Sequence, residues 1–352
     1  MFERFSKNPL LTPHDIEPSV PHHRVIGVFN PAAHRINGVT YLVLRVAEQA
    51  ISPPDRISIP IYDEALRGYR YMEIVKDDQQ YDLKDARVVR SQKTGRILYL
   101  TSVSYLIVAE STDGIHFTVR KRPLIDASFP YATYGVEDPR LTALEDKLYL
   151  TYSAVSADGV MVGLAQLNDT LTEAQPLGII LPPENKNAVL FPERIHNAYA
   201  LLHRPVPFGL GEPNVYLAFS PDLVHWGEHR VLFRVRSGMW DSVRIGVAVP
   251  PLKTEYGWLV FYHGADEQGI YALGAVLLDL ERPWRVLKRT RDPLIGPEAP
   301  YEKQGFYGGV VFPTGAIMEG ASLILYYGAA DTVVAGGRLS LKDVWNKLEP
   351  ID

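Results

Sequence analysis

The 352-residue chain contains no cysteine, which excludes disulfides, thiolate metal ligands and a cysteine nucleophile and fits a reducing compartment. No apolar run approaches the roughly 18 residues of a membrane-crossing helix. The start, Met1-Phe2-Glu3-Arg4-Phe5-Ser6-Lys7, lacks the apolar core of a secretory signal, so the expected location is the cytoplasm. At a formal charge of -5 the basic residues are scattered singly, which gives no reason to expect nucleic acid or a membrane surface as partner. No clustered carboxylates with metal-ligand spacing occur, so neither a metal nor another cofactor is expected. Helical periodicity is also scarce. It is confined to residues 340–348, where a short capped helix is predicted.

What the chain does have is a repeat. Five short extended stretches ending in proline begin at Phe29-Asn30-Pro31, Glu137-Asp138-Pro139, Leu190-Phe191-Pro192, Ala248-Val249-Pro250 and Val311-Phe312-Pro313. Each is followed by an alternating aliphatic and aromatic run, such as Leu148-Tyr149-Leu150-Thr151-Tyr152 or Leu323-Ile324-Leu325-Tyr326-Tyr327. A small sheet recurring at this interval cannot bury both faces alone, and the predicted fold is an all-β propeller in one domain spanning residues 1–352. Residues 1–28 read as an extended N-terminal arm, and residues 47–90 as an insertion or long loop. Asp85-Ala86-Arg87 with Arg96-Ile97-Leu98-Tyr99-Leu100-Thr101 resembles a further copy, which leaves room for a sixth blade. Ser111-x-Asp113-x-x-His116-Phe117 and Ser220-x-Asp222-x-x-His225-Trp226 form a second repeat, in which the aspartate binds backbone amides of a turn and the histidines are structural. His22-His23 reads as a solvated pair, and Gly336-Gly337-Arg338 as a turn.

The residue before each proline is a candidate for the central channel, and only Asn30 and Asp138 of the five are polar. Arg45, His203-Arg204, His263 and Asp331 close the second halves of their repeats. If these ends converge, one pocket collects carboxylates, guanidiniums and an imidazole, a composition suited to a polyhydroxylated substrate with an anion beside it.

Several runs in this order resemble glycoside hydrolase family 130, the family of β-mannoside phosphorylases and some β-1,2-mannosidases. They are Gly135-Val136-Glu137-Asp138-Pro139-Arg140, Leu190-Phe191-Pro192-Glu193-Arg194-Ile195, Trp240-Asp241-Ser242-Val243-Arg244-Ile245-Gly246, Gly257-Trp258-Leu259-Val260-Phe261-Tyr262-His263-Gly264 and Tyr326-Tyr327-Gly328-Ala329-Ala330-Asp331. The resemblance implies five blades, with the Asp85 segment an inserted hairpin of the first. It also implies an inverting reaction in which Asp138 is the proton donor, acting through the sugar's 3-hydroxyl. By the same resemblance Asn30, Arg45 and Asp331 hold the sugar in the -1 subsite, together with Glu137 and Arg140 beside the acid.

Inorganic phosphate is the implied co-substrate, seated by Arg244, His263 and Arg204, and the product is α-mannose 1-phosphate. One departure is that Ser153-Ala154-Val155-Ser156-Ala157-Asp158-Gly159 has no basic residue where mannosylglucose phosphorylases carry an Arg-Asn pair, so that contact is either missing or supplied elsewhere, for example by Arg194 or Lys186. The competing readings are a β-mannosidase, with Glu193 or Glu255 activating water, and a non-catalytic carbohydrate-binding propeller. The arm and tail helix are available for contacts between copies of the chain.

Overall fold

A computed structural model describes residues 2–351, and the chain is all-β, with two short α-helices at Pro300–Lys303 and Leu341–Lys347. Five antiparallel sheets account for most of it. The first is built from His23–Ile36, Val39–Ala50, Val103–Ser111 and Thr118–Ile125, and the second from Val136–Leu144, Lys147–Ser156, Gly159–Leu167 and Ala174–Leu181. The third comprises Asn185–Leu190, Tyr199–Pro205, Val215–Ser220 and Gly227–Phe233. The fourth runs through Arg244–Val247, Gly257–Ala265, Tyr271–Leu278 and Val286–Thr290 and is extended by the C-terminal strand Leu348–Pro350. The fifth holds Val311–Glu319, Ser322–Ala329 and Val333–Ser340, and its outermost strand is the N-terminal Phe2–Arg4.

The alternation of each strand explains the packing, because one set of side chains meets the preceding sheet and the other set the following one. Leu106 and Leu150 share a core between the first two sheets, Leu164 and Leu201 between the second and third, and Leu217 and Val260 between the third and fourth. Phe261 and Tyr327 join the fourth to the fifth, and Leu44 and Tyr326 join the fifth back to the first. Each sheet is thus sandwiched by two neighbours. With every fully buried side chain contributing about 1.5–3 kcal/mol, the five cores depend on one another. First strands of different sheets touch across the centre, among them those of the first, second and fifth. The hairpin Ile36-Asn37-Gly38-Val39 turns with positive φ at both central residues, 50° at Asn37 and 82° at Gly38, the conformation for which Asn-Gly is the favoured pair.

The structure revises several boundaries read from the sequence. The stretch assigned to an arm contains a paired strand at Phe2–Arg4, and regular pairing of the first sheet starts at His23 rather than after residue 28. The second strand of that sheet continues to Ala50, so the insertion begins later than residue 47 and ends at the strand starting with Val103. It is not a bare loop. It forms a hairpin, Arg56–Asp63 with Gly68–Val75, and a three-stranded sheet of Tyr81–Asp82, Val88–Ser91 and Ile97–Leu100. Ile59, Ile61, Ile74 and Val89 pack with Tyr134 and Val155, which fastens the insertion to the second sheet. The Asp85 copy lies inside this inserted sheet. His23 is buried, with Nδ1 3.2 Å from the buried Glu48 carboxylate and Nε2 3.1 Å from the Tyr71 hydroxyl, so it is not solvated. Gly336 and Gly337 sit in a strand, where Phe5 and Phe2 leave no room for a side chain. His116 and His225 are exposed, each bonded through Nδ1 to its turn aspartate.

Candidate active site

The first strands of the first three sheets share an irregularity that falls at the same place, and the first sheet has a second one between Val25 and Gly27. Pairing is interrupted between Phe29 and Ala32, between Glu137 and Arg140, and between Lys186 and Val189. The residues at these bulges, Asn30, Asp138 and Asn187, all adopt left-handed backbone, with φ of 48, 49 and 54°. A bulge re-aims one side chain out of the alternation, and Asn and Asp tolerate the left-handed region better than most residues. Pro31 and Pro139 follow two of the three and have no N–H to contribute to pairing at that point. All three bulge residues are buried, and all three line a central cavity of about 330 Å³.

On one side of this cavity stand the carboxylates. Asp138 Oδ1 accepts from Asn30 Nδ2 at 2.8 Å and from Arg45 Nη1 at 3.1 Å. Arg45 also donates to Glu137 Oε1 at 2.7 Å and to Ser104 Oγ at 3.2 Å, while its guanidinium stacks on Phe29. Glu137 has Lys186 Nζ at 3.9 Å on its other oxygen. Burial by itself would raise Asp138, but the charges of Arg45, Lys186 and Arg140 and the Asn30 amide overcome it and hold the carboxyl well below the usual range. Asp331, on the turn after the second strand of the fifth sheet, behaves in the opposite way. Burial pushes it up to about 6, with Arg45 opposing and Asp138 reinforcing the shift. Two carboxyls in one cavity therefore titrate far apart.

The third and fourth sheets supply the other side, and they bring no carboxylate to it: their lining residues are Lys186, Asn187, Arg204, Arg244, His263 and Tyr271. Arg204 is buried, its Nε has no partner, and its side chain forms no hydrogen bond among the described residues. Burial lowers it to about 10, which leaves it charged at neutral pH. His263 is kept far below its ordinary value, first by burial and then by the charges of Arg140 and Arg204, so the ring is neutral. Asn187 Oδ1 accepts from Arg140 at 3.3 Å, which turns Nδ2 of Asn187 toward His263 Nε2 at 3.4 Å. With Nε2 the acceptor, the ring hydrogen resides on Nδ1, a buried donor with no partner. Arg244 donates to Tyr271 at 3.2 Å and is exposed at the rim. Unsatisfied buried donors beside several cations make a seat for an anion.

Other residues singled out from the sequence lie elsewhere. Arg140 is a correction: it is buried beneath the cavity, donating to the carbonyls of Asp138 at 2.7 Å, Val247 at 3.1 Å and Ala248 at 3.2 Å, so it braces the bulges and does not face the pocket. His203 is tied to Asn185 and His229 away from the cavity. Phe191 packs on Trp258 at 5.0 Å, and Val249 is core, so of the five pre-proline residues only Asn30, Asp138 and Phe312 line the cavity. Glu193 pairs with Lys253 on the surface, Glu255 is exposed, and Arg194 is engaged by Glu145, so none of the three reaches the pocket.

The sequence reading missed Asn187, Tyr271, Arg87 and Tyr307, all of which line the cavity. A search for Asn or Asp two positions into a strand would have found Asn187. Arg87 and Tyr307 come from connecting segments and carry no such signal.

Fold and cavity together define a carbohydrate-active enzyme that takes a sugar and an anion side by side. Residues 101–349 match the family model of glycoside hydrolase family 130, described as beta-1,4-mannooligosaccharide phosphorylase. The Beta-1,2-mannobiose phosphorylase of Listeria innocua is 42% identical over 348 residues, 98% of each chain. Its structure in complex with beta-1,2-mannobiose superposes with a TM-score of 0.96 over 98% of both chains. A 1,2-beta-oligomannan phosphorylase from a Thermoanaerobacter species is 36% identical over 69% of this chain and 80% of its own length. A Bacteroides ovatus glycosyl hydrolase, 22% identical with a TM-score of 0.74 over 100% of this chain and 95% of its own, shares the fold. The chain belongs to glycoside hydrolase family 130.

Proposed function

We propose that the ring of five sheets is a single five-bladed β-propeller and that its central cavity phosphorolyses a β-mannoside, β-1,2-mannobiose being the substrate argued from the Listeria relative. The observation that carries this reading is the pair of buried, unpartnered donors, Arg204 Nε and His263 Nδ1, on the side of the pocket that holds no carboxylate. An inverting hydrolase needs a second carboxylate there to activate water. Phosphate needs only to be held in line, and cations with fixed donors do that.

The mannosyl ring lies against Asn30, Arg45, Asp138 and Asp331, and phosphate against Arg204, His263, Arg244 and Lys186. A phosphate oxygen forms a bond to the anomeric carbon from the face opposite the leaving sugar, and the glycosidic bond breaks with inversion. The departing oxygen takes the proton of the sugar's 3-hydroxyl, which is replenished from Asp138. Asp138 is ionised in the free enzyme, so it must take up a proton as substrate enters. Dehydration of the cavity by the sugar raises a buried carboxyl, the direction this step requires. Arg140 holds the Asp138 backbone and the Asn187 side chain and thereby sets the distance between acid and anion seat.

The test is proton and phosphorus NMR of a reaction of the enzyme with β-1,2-mannobiose and phosphate. Equimolar mannose and α-mannose 1-phosphate are expected. A β-configured phosphate or free mannose alone would overturn the proposal.

A further inference from the structure

The inserted segment reaches over the mouth of the cavity and contributes Arg87, Val88, Ile97, Leu100 and Ser102 to its wall. Exposure rises along that route, from the buried Asn30 and Asp138 at the floor to an Arg87 side chain 40% exposed and an Ile97 50% exposed at the rim. Arg87 is not a loose surface residue. Asp85 grips it through two bonds of 2.9 Å, Nε to Oδ1 and Nη2 to Oδ2, and also accepts its backbone N–H. Its guanidinium lies over the Tyr307 ring, 4.3 Å from the centroid, and Tyr307 comes from the loop preceding the fifth sheet. Of the five N–H donors of a guanidinium, two are used by Asp85, and the rest have no partner among the described residues. A planar fork clamped on one edge and stacked on one face presents its remaining edge to whatever occupies the mouth.

We propose that Arg87, held by Asp85 and Tyr307, binds the leaving sugar in the +1 subsite and sets the acceptor specificity of the enzyme. This rests on the phosphorolysis reading above. With the mannosyl ring at the floor and phosphate on the side of the third and fourth sheets, the second sugar is directed toward the mouth, where Arg87 is a charged donor for its hydroxyls. Val88, Ile97 and Leu100 of the insertion, with Val155 and Val160 of the second sheet, offer an apolar wall to the ring. Arg87 lies in the insertion between the second and third strands of the first sheet, outside the strands that carry the acid. Acceptor choice therefore resides in a segment separate from the acid.

Synthesis from α-mannose 1-phosphate and mannose isolates this role, because donor and acceptor are varied independently. Arg87→Ala is expected to raise the acceptor KM by about tenfold or more while the KM for α-mannose 1-phosphate, and that for phosphate in the cleavage direction, stay within about twofold. Asp85→Asn is expected to shift the acceptor KM in the same direction by less. An unchanged acceptor KM, or equal rises in all three constants, overturns the assignment. Arg87→Lys keeps the charge without the fork and is expected to give an intermediate acceptor KM, which serves if the alanine variant does not fold. A wild-type enzyme that makes no mannose 1-phosphate refutes the phosphorolysis reading itself, whereas an active wild type with an indifferent Arg87→Ala refutes only the acceptor role.

Discussion

Asp138 and Asn187 occupy the same bulge in neighbouring sheets, and one buried guanidinium serves both: Arg140 donates to the Asp138 carbonyl at 2.7 Å and to the Asn187 side chain at 3.3 Å. One residue carries the carboxyl proposed as the acid, and the amide of the other stands against His263. The two halves of the pocket are therefore fixed relative to each other by main-chain and amide contacts, which do not titrate.

Two glycines allow the halves to be disturbed separately. A methyl group built on Gly246 would stand 2.4 Å from Asn187 Nδ2 and 2.6 Å from His263 Nε2, whereas one on Gly328 would stand 2.0 Å from Asn30 Oδ1. Gly246→Ala is expected to raise the phosphate KM by about tenfold or more with a smaller change for the mannoside. Gly328→Ala is expected to lower kcat and weaken mannoside binding while leaving the phosphate KM nearly unchanged. Steady-state kinetics with both substrates varied distinguishes the two patterns, and identical patterns would count against a divided pocket.

Asp138→Asn removes the proton while retaining an acceptor for the Asn30 and Arg45 donors. Turnover is expected to fall by about 10²–10⁴-fold, the usual scale of general acid catalysis, with mannobiose binding still measurable by calorimetry. Wild-type turnover in this variant would remove Asp138 from the acid role.

The raised Asp331 gives a pH dependence with a defined sign. Its folded value of about 6 lies above the ordinary carboxylate value, so its ionisation opposes folding: the stability it contributes is present at low pH and is lost as pH rises through about 6. Sugar hydroxyls, as donors, prefer the ionised form. Proton uptake by Asp138 weakens mannobiose binding with rising pH in wild type and variant alike, so affinity measured without phosphate is expected to fall less steeply through about pH 6 in the wild type, where Asp331 ionises, than in Asp331→Asn. The same pH dependence in wild type and Asp331→Asn over about pH 5 to 7 contradicts the assignment of Asp331 to the sugar.

The legibility of this site in the sequence follows from what proline marks. Pro31 and Pro139 disclosed the bulges at Asn30 and Asp138, because a residue without an N–H advertises interrupted pairing. In the third sheet the bulge is followed by Ala188, and Pro192 lies past the end of the strand, so the repeat pointed to the core residue Phe191 in place of Asn187. Arg204, His263 and Asp331 were found because they lie at or just past the ends of regular strands, and Arg45 because alternation fixes its direction within Val39–Ala50. Arg87 and Tyr307 were not, since their places depend on how the insertion and loops fold over the sheets, and Tyr271 opens a third strand, which the repeat did not mark. Arg140 was read as a sugar ligand from its neighbourhood to the acid, but alternation and full hydrogen bonding put it underneath.

The most direct measurement is the rate of β-1,2-mannobiose consumption as a function of phosphate in the wild type and in Arg204→Ala. No consumption is expected without phosphate, saturation with it, and a phosphate KM raised by about tenfold or more in the variant while the mannobiose KM stays within about twofold. Free mannose released at the same rate with and without phosphate, and an Arg204→Ala enzyme indifferent to phosphate concentration, would contradict this expectation.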